Sequence, residues 1–283
     1  MNEPESRYFE SMRLRLHYCV WGDESKPALI LVHGGRDHAR SWDFVAERFL
    51  DSHSVYALDL RGHGDSAWAD GGGYSLSAYV ADLARLIDVL GRDKVALVGH
   101  SLGGRIVLDY AAAFPEPVSK VVAIEGFGRI GSARPPVEQL QGYVKFAREL
   151  EPKRPRPYKT IEAAQDRMRE ENKRLSPEMV RHLTRHAVRR LEAGYVWKFD
   201  IFGRLSQAPD WDAEATDEIW RQIKVPVLQV GGSDSWGHRF MDRVELSKAV
   251  PGQRVVIFDN AGHWVHHDSL EGFVSLVREF LAE

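Results

Sequence analysis

The sequence has a single cysteine and no long apolar run, and these two shortages already exclude several kinds of protein. Cys19 has no second cysteine with which to form an internal disulfide, so a disulfide-stapled scaffold is excluded. No apolar run approaches the roughly 18 residues that a membrane-spanning helix needs. The net charge is only −3, which gives no general attraction to nucleic acid or to an anionic membrane. The N-terminal segment is polar and acidic and lacks the apolar region of a signal peptide. We therefore expect a cytoplasmic protein with no nucleic-acid or membrane partner.

Short apolar runs alternate with helical patterns along most of the chain. The runs lie at residues 28–32, 55–58, 95–98, 121–124, 227–230 and 255–258. Continuous apolar runs of this length are typical of strands that are covered on both faces, and their alternation with helices predicts an α/β fold with a mostly parallel sheet. Residues 8–21 alternate partly and predict an antiparallel hairpin strand near a sheet edge. Functional side chains are then expected at the carboxyl ends of the strands. Four polar residues follow such ends: His33, Asp59, Ser101 and Glu125.

The alternation stops after residue 126 and resumes at residue 225. The interval holds helical patterns near 136–150, 160–174, 177–191 and 212–223. We therefore predict an α/β core of residues 1–126 and 225–283, interrupted by a helical cap of residues 127–224. The cap carries 20 Lys and Arg against 15 Asp and Glu, and most of these charges fit the solvated faces of helices. A basic cap that attracts an acidic substrate is the alternative.

The pattern G-x-S-x-G around Ser101 lies between a predicted strand and a predicted helix. A serine on such a sharp turn is a nucleophile elbow, and it needs small residues on either side, here Gly99 and Gly103. The pattern alone arises by chance in about one chain in ten of this composition. Its meaning therefore depends on whether the chain also supplies a base, an acid and an oxyanion hole.

His263 is the best candidate for the base among the 12 histidines. It follows the strand at 255–258 in a tight glycine turn before the last helix, where its ring can reach over the carboxyl edge of the sheet. The acid that orients it is expected after an earlier strand. Asp234 is the favoured candidate, and Glu125 is its rival. Asp259 is too near His263 in sequence to be favoured. A metal site is not expected at His263, His266 and His267 because no further ligands have suitable spacing.

An oxyanion hole requires two backbone N–H groups that point at the developing charge. Leu102 follows the nucleophile at a helix N-terminus, and Gly35 follows the strand at 28–32. We predict that these two residues form the hole. The segment 59–66 also holds Asp, Arg and His, but its glycines favour a tight turn whose charged groups brace the loop beside the elbow.

These motifs together resemble the α/β-hydrolase superfamily. The matching segments are HGG at 33–35, DLRGHGDS at 59–66, GHSLGG at 99–104, GGSD at 231–234 and AGH at 261–263. The resemblance implies an eight-stranded, mostly parallel sheet with helices on both faces and a helical cap after the sixth strand. It places the acid at Asp234, the histidine at His263 and an oxyanion residue at Gly35. The runs at 33–43 and 114–126 are similar, more narrowly, to capped serine-hydrolase-like esterases.

A serine in the elbow disfavours haloalkane dehalogenases and epoxide hydrolases, which resemble this layout but use aspartate. The expected activity is cleavage of a small to medium carboxylic ester, without cofactor or metal, through an acyl-enzyme on Ser101. Thioesterase, lactonase or C–C hydrolase activity with the same triad is an alternative. A hydrolase-like receptor or signalling protein with slow turnover is another. The expected partner is a small-molecule ester, and either a monomer or a homodimer is compatible with the sequence. Five residues are candidates for the substrate pocket: Arg36, Trp197, Trp211, Trp236 and Trp264.

Overall fold

A mixed sheet of eight strands organises the molecule, as seen in a computed structural model. The structure describes residues 2–70, 73–126, 135–153, 155–207, 213–238, 249–250 and 252–283. In chain order the strands are β1 (Glu5–Ser11), β2 (Leu14–Trp21), β3 (Ala28–Val32), β4 (Ser54–Leu58), β5 (Val95–His100), β6 (Val118–Ile124), β7 (Val188–Leu191), β8 (Gly194–Trp197), β9 (Val227–Gly232) and β10 (Arg254–Phe258). The large sheet has the order β1-β2-β4-β3-β5-β6-β9-β10, and β7 and β8 form a separate hairpin. Strand β2 pairs antiparallel with both neighbours, and the other pairs in the large sheet are parallel. The predicted eight-stranded α/β-hydrolase fold is confirmed.

Helices cover both faces of this sheet. They are α1 (Asp43–Ala46), α2 (Leu76–Leu90), α3 (Leu102–Ala113), α4 (Pro136–Leu150), α5 (Ile161–Glu171), α6 (Pro177–Ala187), α7 (Ala213–Trp220), α8 (Val265–Asp268) and α9 (Leu270–Ala282), with short 3₁₀ turns at Ala39–Trp42, Glu47–Phe49 and Ile201–Gln207. Apolar side chains of α2, α3 and α7 pack on one face, and those of α1 and α9 pack on the other. Strands β3 and β4 are buried along their whole length because both faces are covered, as their unbroken apolar runs predict. Among the described residues, no helix is both long and apolar enough to cross a membrane.

Two local elements differ from the sequence patterns. Residues 8–21 form two strands, because Met12 and Arg13 both take the left-handed conformation of a two-residue hairpin turn. The helix predicted at 177–191 ends at Ala187, because the next four residues pair with Gly194–Trp197.

Helix α7 packs closely against α3. The buried indole of Trp220 donates from Nε1 to the Asp109 carboxylate at 2.6 Å, and Arg105 donates to the same carboxylate at 2.8 Å. Helix α7, the last helix of the predicted cap, thus packs against a helix that covers the sheet. The division into a core and a cap at residues 127 and 224 stays a prediction.

Candidate active site

Ser101 lies on a strained turn between β5 and α3. Its φ of 53° and ψ of −113° are unfavourable for a residue with a side chain, so the surrounding packing must hold them. A Cβ atom at Gly99 would collide with the Gly103 backbone, and one at Gly103 would collide with the carbonyl of Val32. The Ser101 N–H donates to the carbonyl of Ile124 at 2.8 Å. The elbow therefore requires its two glycines and is pinned to β6.

His263 binds a buried carboxylate through its Nδ1 atom, and that carboxylate belongs to Glu125. The distance from Nδ1 to Oε2 is 2.7 Å. The Glu125 side chain is fully buried, whereas the His263 side chain is 24% exposed. Glu125 also accepts hydrogen bonds from the Gly232 N–H at 3.0 Å and from the Ser235 hydroxyl. These donors compensate the cost of burying the carboxylate and fix its orientation. Through this bond the carboxylate fixes the orientation of the histidine ring.

The predicted pairing of His263 with Asp234 is wrong. Asp234 is 43% exposed and forms an ion pair with Arg174, which comes from the segment between α5 and α6. The Ser233 hydroxyl donates to the other oxygen of Asp234 at 3.1 Å. Arg174 also donates to the carbonyl of Asn260 at 2.7 Å, so it links the loop that holds Asp234 to the loop that carries His263. Asp234 thus serves as the partner of a cap arginine in this structure.

Glu125 is brought to the histidine by its place in the strand order. It follows β6, which lies between β5 and β9, and its own φ of 51° turns the chain sharply at the strand end. Its N–H donates to the carbonyl of Val230 at 2.9 Å. Glu125 was the rival candidate in the sequence because its carboxylate directly follows the apolar end of a strand.

The loop after β3 is held by a buried neutral histidine. His33 donates from Nδ1 to the carbonyl of Gly34 at 2.7 Å and accepts the Leu60 N–H at Nε2 at 3.1 Å. Burial lowers the pKa of His33 to about 4, so that one nitrogen can donate and the other accept at neutral pH. Gly35 is exposed, and the space where its side chain would lie is open. Leu102 begins α3, where backbone N–H groups lack helical partners. Gly35 and Leu102 as the oxyanion hole stay a prediction.

His100 supports the loop that carries His263, and sequence reasoning assigned it no role. Its Nε2–H donates to the carbonyl of His263 at 3.0 Å, and the two rings lie 4.7 Å apart. Burial lowers the pKa of His100 well below its usual range, so the ring stays neutral. The only sequence signal for it was its place beside Ser101.

The predicted pocket residues occupy several different environments. The Trp236 ring lies 5.2 Å from the His263 ring and is half exposed, while Trp264 packs against the small apolar cluster of α5 and α6. Arg36 is exposed beside Gly35 with a φ of 65°. Trp197 lines a separate cavity. Trp211 lies outside the described residues.

The segment 59–66 forms the predicted bracing loop. The buried Asp59 carboxylate accepts hydrogen bonds from His17 Nδ1 at 2.7 Å and from the N–H groups of Ala39 and Asp65. Burial opposes its ionisation, but the bond from His17 and the other donors hold the pKa of Asp59 well below its usual range. The Arg61 guanidinium forms a buried pair with Asp82 at 2.6 Å. These charged groups stabilise the loop.

Within the described ranges, two side-chain groups have ligand atoms close enough together to hold a metal. They are His17 with Asp59 and Asp65, and Asp43 with His182 and His186. In both groups the central carboxylate already binds protein donors. Asp59 binds those named above, and Asp43 binds Arg40 at 2.7 Å and His182 at 3.1 Å.

A family model described as the alpha/beta hydrolase family matches residues 29–276 of the chain. The chain is also similar to a protein of Bacillus subtilis named putative 2-succinyl-6-hydroxy-2,4-cyclohexadiene-1-carboxylate synthase. The two are 28% identical over 278 residues, which cover 92% of each chain.

Solved structures resemble the whole chain. An esterase of Mycobacterium tuberculosis is 26% identical, with a TM-score of 0.74, over 100% of this chain and 92% of that one. A thioesterase domain from the curacin biosynthetic pathway gives a TM-score of 0.89 at 22% identity, over 98% of this chain and all of that one. At that identity, the second likeness shows the fold alone.

Proposed function

Because the chain belongs to the alpha/beta hydrolase family, we propose that this hydrolase uses Ser101 to cleave a small to medium carboxylic ester through an acyl-enzyme. The observation that carries the proposal is the 2.7 Å bond between His263 and the buried Glu125, which lies at the strand end next to the serine elbow. A serine hydroxyl is a weak nucleophile until a base removes its proton, and an imidazole with a fixed ring orientation is such a base.

The reaction begins when Ser101 Oγ attacks the ester carbonyl carbon. His263 Nε2 accepts the hydroxyl proton, and the carbonyl oxygen becomes an oxyanion. The carbonyl re-forms, the bond to the leaving alcohol breaks, and His263 returns its proton to that alcohol. A water molecule then adds to the acyl-enzyme by the same steps, which releases the carboxylic acid and regenerates the Ser101 hydroxyl.

Glu125 has two effects in this scheme. It accepts the Nδ1–H of His263, which leaves Nε2 unprotonated and able to act as the base. It also stabilises the imidazolium that forms when the serine proton is taken up. The backbone N–H groups of Leu102 and Gly35 stabilise the oxyanion, and each such donor is worth on the order of 100-fold in kcat or more.

The test is turnover of p-nitrophenyl acetate and butyrate by the Ser101→Ala variant. We expect kcat to fall by about 10⁴-fold or more while the fold, followed by circular dichroism, is retained. Ser77→Ala, a serine-to-alanine change on the exposed side of α2, is the matched control and should leave kcat unchanged. Retained turnover in Ser101→Ala would overturn the proposal. The same panel, extended to the matching thioesters and lactones, defines the preferred bond.

A further inference from the structure

A large cleft lies apart from the residues of the proposed triad. Its volume is about 1140 Å³, and its walls come from α4 and the segment after it, from β8, and from the loop at residues 68–70. Among its described lining residues there is no member of the group Ser101, Glu125 and His263. The proposed ester cleavage therefore gives this cleft, called the aromatic cleft below, no role.

One wall of the aromatic cleft is a set of rings held in place by their own contacts. The Trp197 indole donates to the Tyr158 hydroxyl at 3.3 Å and stacks on Phe199, with the two ring planes 15° apart. Tyr158 exchanges two backbone hydrogen bonds of 2.8 Å with Tyr195. The ring of Trp68, which also lines the cleft, lies under the Arg189 guanidinium at 4.9 Å. These rings present a preorganised apolar surface, so little conformational entropy is lost when a flat ligand stacks there.

Two arginines at the cleft are available to a ligand anion. Arg148 and Arg156 line it, and neither forms an ion pair or hydrogen bond within the described part of the chain. The acid Asp200 is already occupied, because it accepts the Tyr74 hydroxyl at 2.5 Å and the Phe202 N–H at 3.0 Å. Six charged residues line the cleft, and the cations of Arg148, Lys153 and Arg156 balance the carboxylates of Asp70, Glu151 and Asp200, so the cleft has no net charge. The two guanidinium groups without a partner among the described residues, rather than a net charge, are what a ligand anion can pair with. A guanidinium binds a carboxylate through two parallel hydrogen bonds.

We propose that the aromatic cleft is a binding site for an aromatic carboxylate, distinct from the site of ester cleavage. The ring system of the ligand stacks on Trp197 and Phe199, and its carboxylate pairs with Arg148 or Arg156. The volume slightly exceeds the usual range for small-molecule sites, so a ligand with two or more fused rings fits.

The experiment measures binding of 1-naphthaleneacetate and of its neutral analogue 1-naphthaleneacetamide to the Ser101→Ala protein, by quenching of tryptophan fluorescence and by calorimetry. We expect the acid to bind at least 10-fold more tightly than the amide. The double variant Arg148→Gln/Arg156→Gln should remove this preference and leave amide binding unchanged. Trp197→Ala should weaken both ligands. Arg169→Gln, which removes an exposed positive charge on α5 outside the cleft, is the matched control and should change neither.

Three results would overturn the proposal: no saturable binding, equal affinity for acid and amide, or equal weakening by Arg169→Gln. A further arm uses the wild-type protein after reaction of its nucleophile with a fluorophosphonate. Binding that survives this block supports a separate site, and binding that is lost places the ligand in the catalytic site instead. Since every readout is binding, failure here leaves the proposal for ester cleavage intact, and failure of that proposal leaves this one intact.

Discussion

At the scale of single residues, the identity of the acid is the point on which the site differs most from its sequence motifs. Glu125 is fully buried and accepts three donors, including His263, whereas Asp234 is exposed and paired with Arg174. A buried, fully bonded carboxylate can orient an imidazole much more rigidly than an exposed one that already has a cationic partner. The structure therefore favours Glu125 for the role that the motif gave to Asp234.

This assignment predicts very different effects for two amide substitutions. Glu125→Gln places an amide N–H₂ or a weaker acceptor against Nδ1, which stabilises the unproductive tautomer, so kcat should fall by about 10³–10⁴-fold. Asp234→Asn should change kcat less than about fivefold. Steady-state kinetics on p-nitrophenyl acetate measures both. If Asp234→Asn were as damaging as Glu125→Gln, the assignment of the acid would be reversed.

At the scale of secondary-structure elements, several polar contacts attach the predicted cap to the core, and three of them reach core loops near the proposed site. Lys198 pairs with Asp65 at 2.7 Å, the Asp200 N–H donates to the carbonyl of Gly62 at 2.7 Å, and Arg174 pairs with Asp234. The last contact links the segment before α6 to the two loops that surround His263. The position of the predicted cap and the position of His263 are therefore physically connected.

The Arg174–Asp234 pair predicts small and non-additive effects on stability. Both side chains are nearly half exposed, so solvent screens the pair and its coupling should be about 0.2–1 kcal/mol. Unfolding of Arg174→Gln, Asp234→Asn and the double variant in urea gives this coupling from a double-mutant cycle. Strictly additive losses would mean that the two side chains do not interact in solution.

Apolar patterning predicted the sheet because each central strand is buried on both faces and reads as one unbroken apolar run. It missed the hairpin of β7 and β8, because the segment 188–191 is short and half of its residues are arginines, and the helical pattern of α6 runs directly into it. The sequence motifs favoured Asp234 over Glu125, although both follow strand ends at the same edge of the sheet. The choice depends on side-chain contacts made by Ser235 and Arg174, which come from distant parts of the chain.

At the scale of the whole molecule, the fold buries many neutral histidines. Besides His17, which pairs with Asp59, six are almost completely inaccessible: His33, His38, His63, His100, His266 and His267. Burial lowers the pKa of every one, to about 4 for His33 and to about 3 for His38 and His267. Burial also raises the pKa of Asp37 to about 7. Proton uptake by Asp37 therefore favours the folded state in acid, which opposes the effect of the histidines. Because six histidines oppose one carboxyl group, proton uptake by the histidines should dominate the change in folding stability in mild acid.

We predict that the protein loses stability steeply as the pH falls below 6.5. In the unfolded chain these histidines bind protons near pH 6.5, whereas in the folded protein they stay neutral until the pH approaches their lowered pKa values. Their contribution is complete above 6.5 and is lost progressively toward pH 4. Six protons correspond to at most about 8 kcal/mol per pH unit. Thermal melts at pH 7.5, 6.5, 5.5 and 4.5 measure this, and a constant melting temperature across the series would contradict it.

The central claim, that Ser101 forms a covalent acyl-enzyme, is tested most directly by mass spectrometry of the intact protein after reaction with a fluorophosphonate. The account predicts one adduct per chain, located by peptide mapping on Ser101 and formed far more slowly in His263→Gln. Failure to form an adduct, or an adduct on a serine other than Ser101, would contradict it.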